Sequence, residues 1–241
     1  MGLGTKQRDE IRRVLEKFLR DRARTIRKLK IDDLNLNPFL IRLLSAQMGL
    51  EDAGSIVRWL VSQRLERGTV TSFGKTLESI AKLFSEGTGA EGADVVKTKD
   101  AVRHYVQVKS GPNTIDKDAG IIIARQLKSA QRRNRGSVAL FGMCYGTKEQ
   151  VSGIVRQYVD SEGGVDWKSG REFWEFISDS PGCIDEIYET GTKVGREFED
   201  IQGQSIVEIL DAKIRGLTRE FELRYGKRGK AMWRRILDIN S

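Results

Sequence analysis

The sequence predicts an α/β (α+β) fold, in which helices flank a mixed central sheet and helical regions extend both ends of the chain. Helical periodicity dominates the first 86 residues and returns after residue 146. Between these regions, three short runs of strand-forming residues lie between residues 92 and 145. A helical pattern separates the second run from the third, and this strand–helix–strand order predicts that the two strands are parallel.

Three helices are predicted in the first 70 residues. Apolar residues recur at helical spacing from Ile11 to Leu29, with Arg and Lys on the other faces. A second helix is expected to begin at Pro38 with Asn37 as its cap, because proline suits the first helical turn. A third is expected over residues 54–67, where the apolar residues again follow helical spacing.

A further helix is predicted just before the strands. Its apolar stripe includes Leu77 and Ile80, and Thr71 or Ser72 is placed to act as the N-cap. Glu78 follows Leu77 in the sequence and therefore lies toward the edge of this stripe.

The predicted strands cover residues 92–97, 103–109 and 137–145. The first two are expected to pair across a charged turn, and a Gly-Pro pair ends the second. The third run is nearly all apolar, which indicates a strand buried on both faces. The helix between the second and third strands is expected over residues 121–135. Later helices are expected near residues 147–159, 169–178, 192–225 and 228–238.

The chain of 241 residues is long enough to bury a core as one domain with helical extensions. We expect a helical N-terminal region at residues 1–70, a sheet-containing core at 71–180 and a helical C-terminal region at 181–241 that packs on the core.

The apolar runs of the chain fall well short of the ~20 residues that span a membrane. Cys144 is expected to be a buried thiol, which favours a reducing, cytoplasmic location.

Positive charge is concentrated at the two ends of the chain. The net charge is +8; residues 1–30 hold 11 Lys and Arg against 4 Asp and Glu, and residues 211–241 hold 9 against 4. Basic segments of this kind suit a polyanionic partner, because contacts with phosphates release counterions. The alternative is that long charged helices simply solvate their outer faces.

Side chains of the first two strands predict a site for phosphodiester chemistry. Along the second strand, Gln107 and Lys109 point to one face, whereas His104 points to the other and is expected to pack there. Asp94 lies on a face of the first strand that pairing can bring beside Gln107 and Lys109. A carboxylate for a divalent cation would then lie next to an ammonium group. Phosphodiester cleavage needs both, because charge develops on the phosphate oxygens.

These residues resemble the PD-(D/E)XK nuclease superfamily, whose signature is an acid, a spacer and then (D/E)-x-K on the next strand. Asp94 matches the first acid, and Gln107-Val108-Lys109 occupies the triplet. The sequences YVQVKSGPNTIDKD and FGMCYGTKEQVSG are similar to type II restriction endonucleases, in the group that cuts interrupted palindromes of the GGNCC kind. Gln107 departs from the pattern, because most relatives carry Glu or Asp there.

The resemblance implies a Mg²⁺-dependent nuclease. In it, Asp94 would ligate the cation, Gln107 would contribute its amide oxygen and the backbone carbonyl of Val108 would complete the protein ligands. Lys109 would orient the attacking water or stabilise the transition state. A helix before the first acid often contributes a Glu in this superfamily; Glu78 is the matching candidate, and the alternative is a solvated helix carboxylate. Because Gln is neutral, the residue at position 107 is expected to weaken cation binding.

The resemblance also implies double-stranded DNA as the substrate. Candidate DNA contacts lie on the loop after the second strand and on one face of the following helix: Ser110, Asn113, Thr114, Lys117, Arg125, Lys128 and Arg132. The same residue types are common in ordinary loops and on solvated helix faces. A homodimer is expected, because a palindromic site is read by a two-fold symmetric protein with one active centre for each strand.

The predicted function is a type II restriction endonuclease of a restriction–modification system. Three alternatives remain open. One is another PD-(D/E)XK nuclease, such as a repair or junction-resolving enzyme. Another is a catalytically dead DNA-binding relative, which would follow if Gln107 prevents cation binding. The third is a structural or protein-interaction module whose basic charge has no partner.

Overall fold

The computed structural model describes residues 2–87, 93–112, 117–150, 153 and 165–241. Its helices are α1 (Thr5–Lys28), α2 (Pro38–Met48), α3 (Ala53–Lys82), α4 (Lys117–Arg133), α5 (Gly170–Ser178), α6 (Cys183–Glu197), α7 (Ile206–Tyr225) and α8 (Gly229–Ile239). Its strands are β1 (Val95–Lys99), β2 (Val102–Lys109), β3 (Val138–Met143) and β4 (Val165–Ser169). The predicted α/β fold with helical regions at both ends is confirmed.

Within the described residues, the strands form one mixed sheet in the order β1-β2-β3-β4. β1 and β2 are antiparallel, whereas β2 pairs with β3 and β3 with β4 in parallel. The predicted pairing of the first two runs and the parallel pairing across the α4 crossover are therefore confirmed. β4 was not predicted: its sequence VDWKS alternates apolar and charged residues as a strand does, but it has only five residues and lies in a region that otherwise has helical periodicity.

Helices cover both faces of the sheet. On one face, α4 packs on β3 and β4 through a cluster of buried apolar side chains: Ile123, Leu127, Ala139, Phe141, Met143 and Val165. On the other face, the indole Nε1 of Trp174 in α5 donates a hydrogen bond of 2.7 Å to the backbone oxygen of Cys144. The His104 ring packs edge-on against Phe176, with centroids 4.9 Å apart, as expected for a packed strand histidine. β3 is accordingly buried on both faces, as predicted.

The helix before the strands differs from its prediction. α3 is one continuous helix of 30 residues, whereas the sequence predicted one helix over 54–67 and another capped at Thr71 or Ser72. The Ser72 hydroxyl donates to the backbone oxygen of Gly68 at 2.7 Å. A hydroxyl that bonds to the preceding turn does not act as an N-cap, and without proline this segment has nothing to end the helix. The Asn37 cap of α2 is confirmed, since its side chain accepts from the backbone N–H groups of residues 39 and 40.

The predicted helix over 192–225 is two helices, α6 and α7, with a turn between them. The carboxylate of Asp200 accepts hydrogen bonds of 2.9 Å from the backbone N–H groups of Gln202 and Gln204. Ser205 then caps α7 in a capping box with Glu208. Asx-turn and capping chemistry therefore overrides the helical periodicity here. Most of the helix predicted at 147–159 lies outside the described residues, apart from a 3₁₀ turn at 148–150 and a helical residue 153.

The described chain divides into two compact units. The first, Met1–Glu16 with Phe73–Arg196, contains the sheet. The second, Lys17–Ser72 with Glu197–Ser241, has a helical core that includes Ile41, Ile56, Leu217, Phe221 and Met232. The division into regions 1–70, 71–180 and 181–241, packed as one domain, stays a prediction. In the described chain, α-helices long enough to cross a bilayer lack the necessary apolar stretch.

Candidate active site

Asp94 lies immediately before β1, and the antiparallel pairing brings it against β2. Its backbone N–H donates to the backbone oxygen of Val106 at 2.8 Å. Its side-chain Oδ2 accepts hydrogen bonds from the backbone N–H of Val108, at 3.0 Å, and from the Nε2 of Gln107. The structure therefore brings together the acid and the triplet that the sequence singled out.

Lys109 is the last residue of β2, on the same face of the sheet as Gln107. In the parallel pairing with β3, Gln107 lies beside Phe141 and Lys109 beside Met143. Both Gln107 and Lys109 are half-buried. The apolar neighbours exclude part of the solvent around these polar groups, so that charge interactions here are stronger than at an open surface.

Glu78, on α3, belongs to the same group of charges. Burial raises the pKa of its carboxyl, and the negative charge of Asp94 raises it further. The positive charges of Lys109 and Lys82 act in the opposite direction. A carboxyl group whose pKa is raised by burial and by a second carboxylate is stabilised in its ionised form by a cation that comes between the two groups.

Lys82 is a member of this group that the sequence reasoning missed. Its Nζ lies 3.3 Å from Oδ1 of Asp94, and the two side chains are 50% and 22% exposed. One signal was present in the sequence, because Lys82 follows Glu78 by four residues and thus lies on the same helix face. That spacing does not reveal which strand residue the helix faces, since this depends on tertiary packing.

A short segment after α3 fixes the helix against β1. The backbone N–H of Glu86 donates to the backbone oxygen of Val96 at 2.8 Å, and Val96 donates to the Ser85 hydroxyl at 3.0 Å. The next residue of β1, Lys97, forms ion pairs with the carboxylates of Glu86, at 2.9 Å, and Asp179, at 2.5 Å. Burial opposes the charge on Lys97, yet its bonds to Asp179 and Glu86 raise its pKa. These contacts position the end of α3, which carries Glu78 and Lys82, beside Asp94.

The oxygen atoms that these residues can offer are of the kind that binds a hard divalent cation. Asp94 and Glu78 offer carboxylate oxygens, Gln107 offers an amide oxygen and Val108 a backbone carbonyl. Across the described residues, no three of His, Cys, Asp and Glu cluster closely enough to hold a metal by themselves. A cation here would consequently depend on neutral oxygens and water as well, and Mg²⁺ characteristically keeps several of its waters.

Cys144 lies next to this group without taking part in it. It is buried at the end of β3, as predicted, and its backbone N–H donates to the oxygen of Lys109 at 2.9 Å. Burial raises the pKa of the Cys144 thiol, and the charges of Glu78 and Asp94 add to the effect. The thiol is therefore neutral and packs as a small apolar group, which leaves the chemistry to the carboxylates and lysines.

The end of β2 is held tightly. The backbone oxygen of Ser110 accepts from Tyr145 at 3.1 Å. The Tyr145 ring covers Gly111, where a Cβ atom would lie 2.2 Å from the ring, so only glycine fits. Ser110 itself contacts Gly74 of α3, since a Cβ there would be 3.1 Å from the serine Oγ. The strand that ends in Lys109 is thereby fixed on two sides.

The other candidate DNA contacts are only partly described. Asn113 and Thr114 lie outside the described residues, as does the side chain of Lys117. On α4, Arg125 and Arg132 are exposed and Lys128 is half-buried, while the predicted apolar stripe of the same helix faces the sheet. The basic face of α4 therefore exists as expected, and its role in DNA binding stays a prediction.

Comparison with known proteins gives one family. A family model described as "Type II restriction endonuclease EcoO109I" matches residues 6–198, which is most of the chain. The matched range contains Glu78, Lys82, Asp94, Gln107 and Lys109. No curated protein matches the chain significantly.

Proposed function

The chain belongs to the family of the type II restriction endonuclease EcoO109I, and from this premise we propose that it cleaves double-stranded DNA at a specific palindromic site with Mg²⁺. Family membership supports a restriction endonuclease that acts on DNA. The observation that carries the finer proposal is the contact of the Asp94 carboxylate with Gln107 and Val108, on the strand that ends in Lys109. This contact supports the PD-(D/E)XK arrangement that the sequence predicts.

Asp94, Gln107, Val108 and Glu78 are the residues that would hold Mg²⁺. When bound, the ion would lower the pKa of a coordinated water and polarise a phosphoryl oxygen. Asp94 is prepared for this role, because two donors from β2 fix the orientation of its carboxylate before any cation arrives. Such fixed dipoles need no reorganisation during the reaction.

Lys109 would act on the scissile phosphate. Its ammonium group lies on the same face as Gln107, half-buried, where its charge is felt more strongly than in water. There it can donate to the attacking water or to a phosphate oxygen as negative charge accumulates on the oxygens around the pentacovalent phosphorus. A positioned donor of this kind typically contributes about 10²–10³ in rate.

Gln107 would have two functions in place of the usual acid. Its Nε2 donates to Asp94 and holds that carboxylate, and its Oε1 is the oxygen that it can offer to a cation. A neutral amide leaves the site with one negative charge fewer than a glutamate would give. Glu78 then supplies the second carboxylate, from α3.

DNA binding and assembly complete the proposal. Ser110, Asn113, Thr114 and Lys117 would contact DNA from the segment after β2, and the basic face of α4 (Arg125, Lys128 and Arg132) would contact phosphates. A homodimer would place one centre at each strand of an interrupted palindrome of the GGNCC kind. The enzyme would act in the cytoplasm within a restriction–modification system, beside a methyltransferase that protects the same sequence.

Incubation of the purified protein with phage DNA and Mg²⁺ tests this function, with Asp94→Asn as the control. We expect discrete fragments from the wild type, none from the variant, and equal binding of both to DNA when Mg²⁺ is absent. A smear, or a preference for branched substrates, would indicate a different nuclease. A gel shift without cleavage would indicate a DNA-binding protein that has lost its activity.

A further inference from the structure

The ion pair between Lys82 and Asp94 is the feature of the site that the proposed function does not use. We propose that Lys82 is an internal counter-ion of the metal site, which binds Asp94 in the metal-free protein and competes with the divalent cation. The inference rests on the proposed function in one respect, because it takes Asp94 to be a ligand of that cation.

The two oxygens of Asp94 have different partners. Oδ2 accepts the hydrogen bonds from Gln107 and Val108, whereas Oδ1 lies 3.3 Å from the Nζ of Lys82. The β2 donors thus hold the carboxylate at one oxygen, and Lys82 neutralises it at the other. A cation that binds Asp94 would meet the ammonium group at close range, and two positive charges at that distance repel each other.

The position of Lys82 allows it to leave. Its side chain is half-exposed, and it is carried on a flexible stem of four carbon atoms, so the ammonium group can move into water without a change in the helix. An ion pair of this exposure is weak and is readily exchanged. Lys82 can therefore neutralise Asp94 while no cation is bound, and it can move away when a cation binds.

The same helix turn contributes a ligand and its competitor. Glu78 and Lys82 are four residues apart on α3 and therefore lie on the same face of the helix, where the positive charge of Lys82 also attracts the Glu78 carboxylate. In the metal-free protein, Lys82 thus acts on both carboxylates of the site. Its departure would release Asp94, which predicts that Lys82 lowers the affinity of the free protein for a divalent cation.

Calorimetric titration of the DNA-free protein with Ca²⁺ tests this inference without any cleavage. We expect Lys82→Gln to bind Ca²⁺ about fivefold more tightly than the wild type, as the loss of one weak competing ion pair implies. Lys82→Arg keeps the charge and should bind like the wild type. Lys75→Gln is the matched control: it removes the same charge from an exposed position of the same helix, and the effect of Lys75 on Glu78 is smaller than that of Lys82.

Each outcome separates this inference from the function on which it rests. If Asp94→Asn leaves Ca²⁺ binding unchanged, both Asp94 as a ligand and Lys82 as its competitor are refuted. If Asp94→Asn abolishes binding while Lys82→Gln binds no more tightly than Lys75→Gln, the counter-ion role alone is refuted. Circular dichroism checks that the variants fold, and Lys82→Met provides a second neutral replacement with the same expected result.

Discussion

Replacing Gln107 by glutamate restores the commoner residue of the motif and is predicted to destabilise the metal-free protein. In the wild type, the Nε2 of Gln107 donates a hydrogen bond to Oδ2 of Asp94. An ionised glutamate has no hydrogen to donate, so two carboxylates would face each other where a donor and an acceptor now meet. We therefore expect Gln107→Glu to lower the free energy of unfolding at neutral pH when no divalent cation is present.

The size of the decrease in the free energy of unfolding follows from the hydrogen bond that is lost. A hydrogen bond to a charged group contributes roughly 1.5–3 kcal/mol. We therefore expect a cost of about 2 kcal/mol, and the repulsion between the two carboxylates raises the pKa of the introduced glutamate above its ordinary value. The melting temperature of a chain of this size should fall by about 4–8 °C.

The predicted loss depends on pH in a definite direction. A carboxyl whose pKa is raised by folding keeps its proton in the folded state at pH values where the unfolded chain has lost it. The free energy of unfolding then decreases as the pH rises through this window. The deficit of Gln107→Glu should accordingly vanish below about pH 4 and be complete above about pH 7. Saturating Mg²⁺ should reverse it, because the cation favours the additional carboxylate.

Thermal unfolding at pH 4 and pH 7, with and without Mg²⁺, measures these differences. Gln131→Glu is the matched control, because the Nε2 of Gln131 donates to a backbone oxygen, that of Ser137, at 3.2 Å. The control also loses a hydrogen bond, yet Mg²⁺ should not restore its stability. If Gln107→Glu were as stable as the wild type at pH 7 without Mg²⁺, or gained no stability from the ion, the hydrogen bond from Gln107 to Asp94 would not be what stabilises the metal-free site.

Three further predictions concern other parts of the chain. Lys109→Met should lower the single-turnover cleavage rate by about 10²–10³ while DNA affinity is kept, and a wild-type rate would remove Lys109 from the chemistry. Replacing Arg125, Lys128 and Arg132 together by Gln should weaken binding to every duplex alike and reduce the slope of log affinity against log salt by about 2–3; an unchanged slope would show that this face does not meet phosphates. Gly142→Ala should cost about 1–3 kcal/mol of stability in thermal unfolding, because its Cβ would lie 2.3 Å from an aromatic ring of α5, and a variant of wild-type stability would contradict this packing.

The core of the site was predictable because its determinants are local. The side chains of a strand alternate, so Gln107 and Lys109 had to share a face. The turn between the first two runs is short, so antiparallel pairing placed Asp94 within reach of that face. Both inferences need only the side-chain alternation of a strand and the geometry of a hairpin, and a short stretch of sequence is enough to predict these.

The features that the sequence did not predict depend on which of two possible local hydrogen bonds a polar side chain forms, or on tertiary packing. Ser72 has the residue type of an N-cap, but its hydroxyl bonds within a continuous helix, and nothing in the window 68–72 distinguishes the two. Asp200 and Ser205 end one helix and begin the next inside a periodic apolar pattern. Lys82 reaches Asp94 only because the segment around Glu86 pairs with β1, and such a contact has no signal in the sequence of either element.

The charge balance of the site connects the glutamine to the additional lysine. Asp94 and Glu78, when ionised, carry two negative charges, and Lys82 and Lys109 carry two positive charges close to them. With a neutral Gln107 the metal-free group is balanced, whereas a glutamate would leave one negative charge without a counterpart in a half-buried place, which is costly. A divalent cation that enters a balanced group creates an excess of positive charge, and the most exposed lysine can relieve it by moving into water. Within this proposal, the neutral residue at position 107 and the exchangeable ion pair of Lys82 are two parts of one arrangement, which keeps the metal-free site stable and still leaves Asp94 available to a cation.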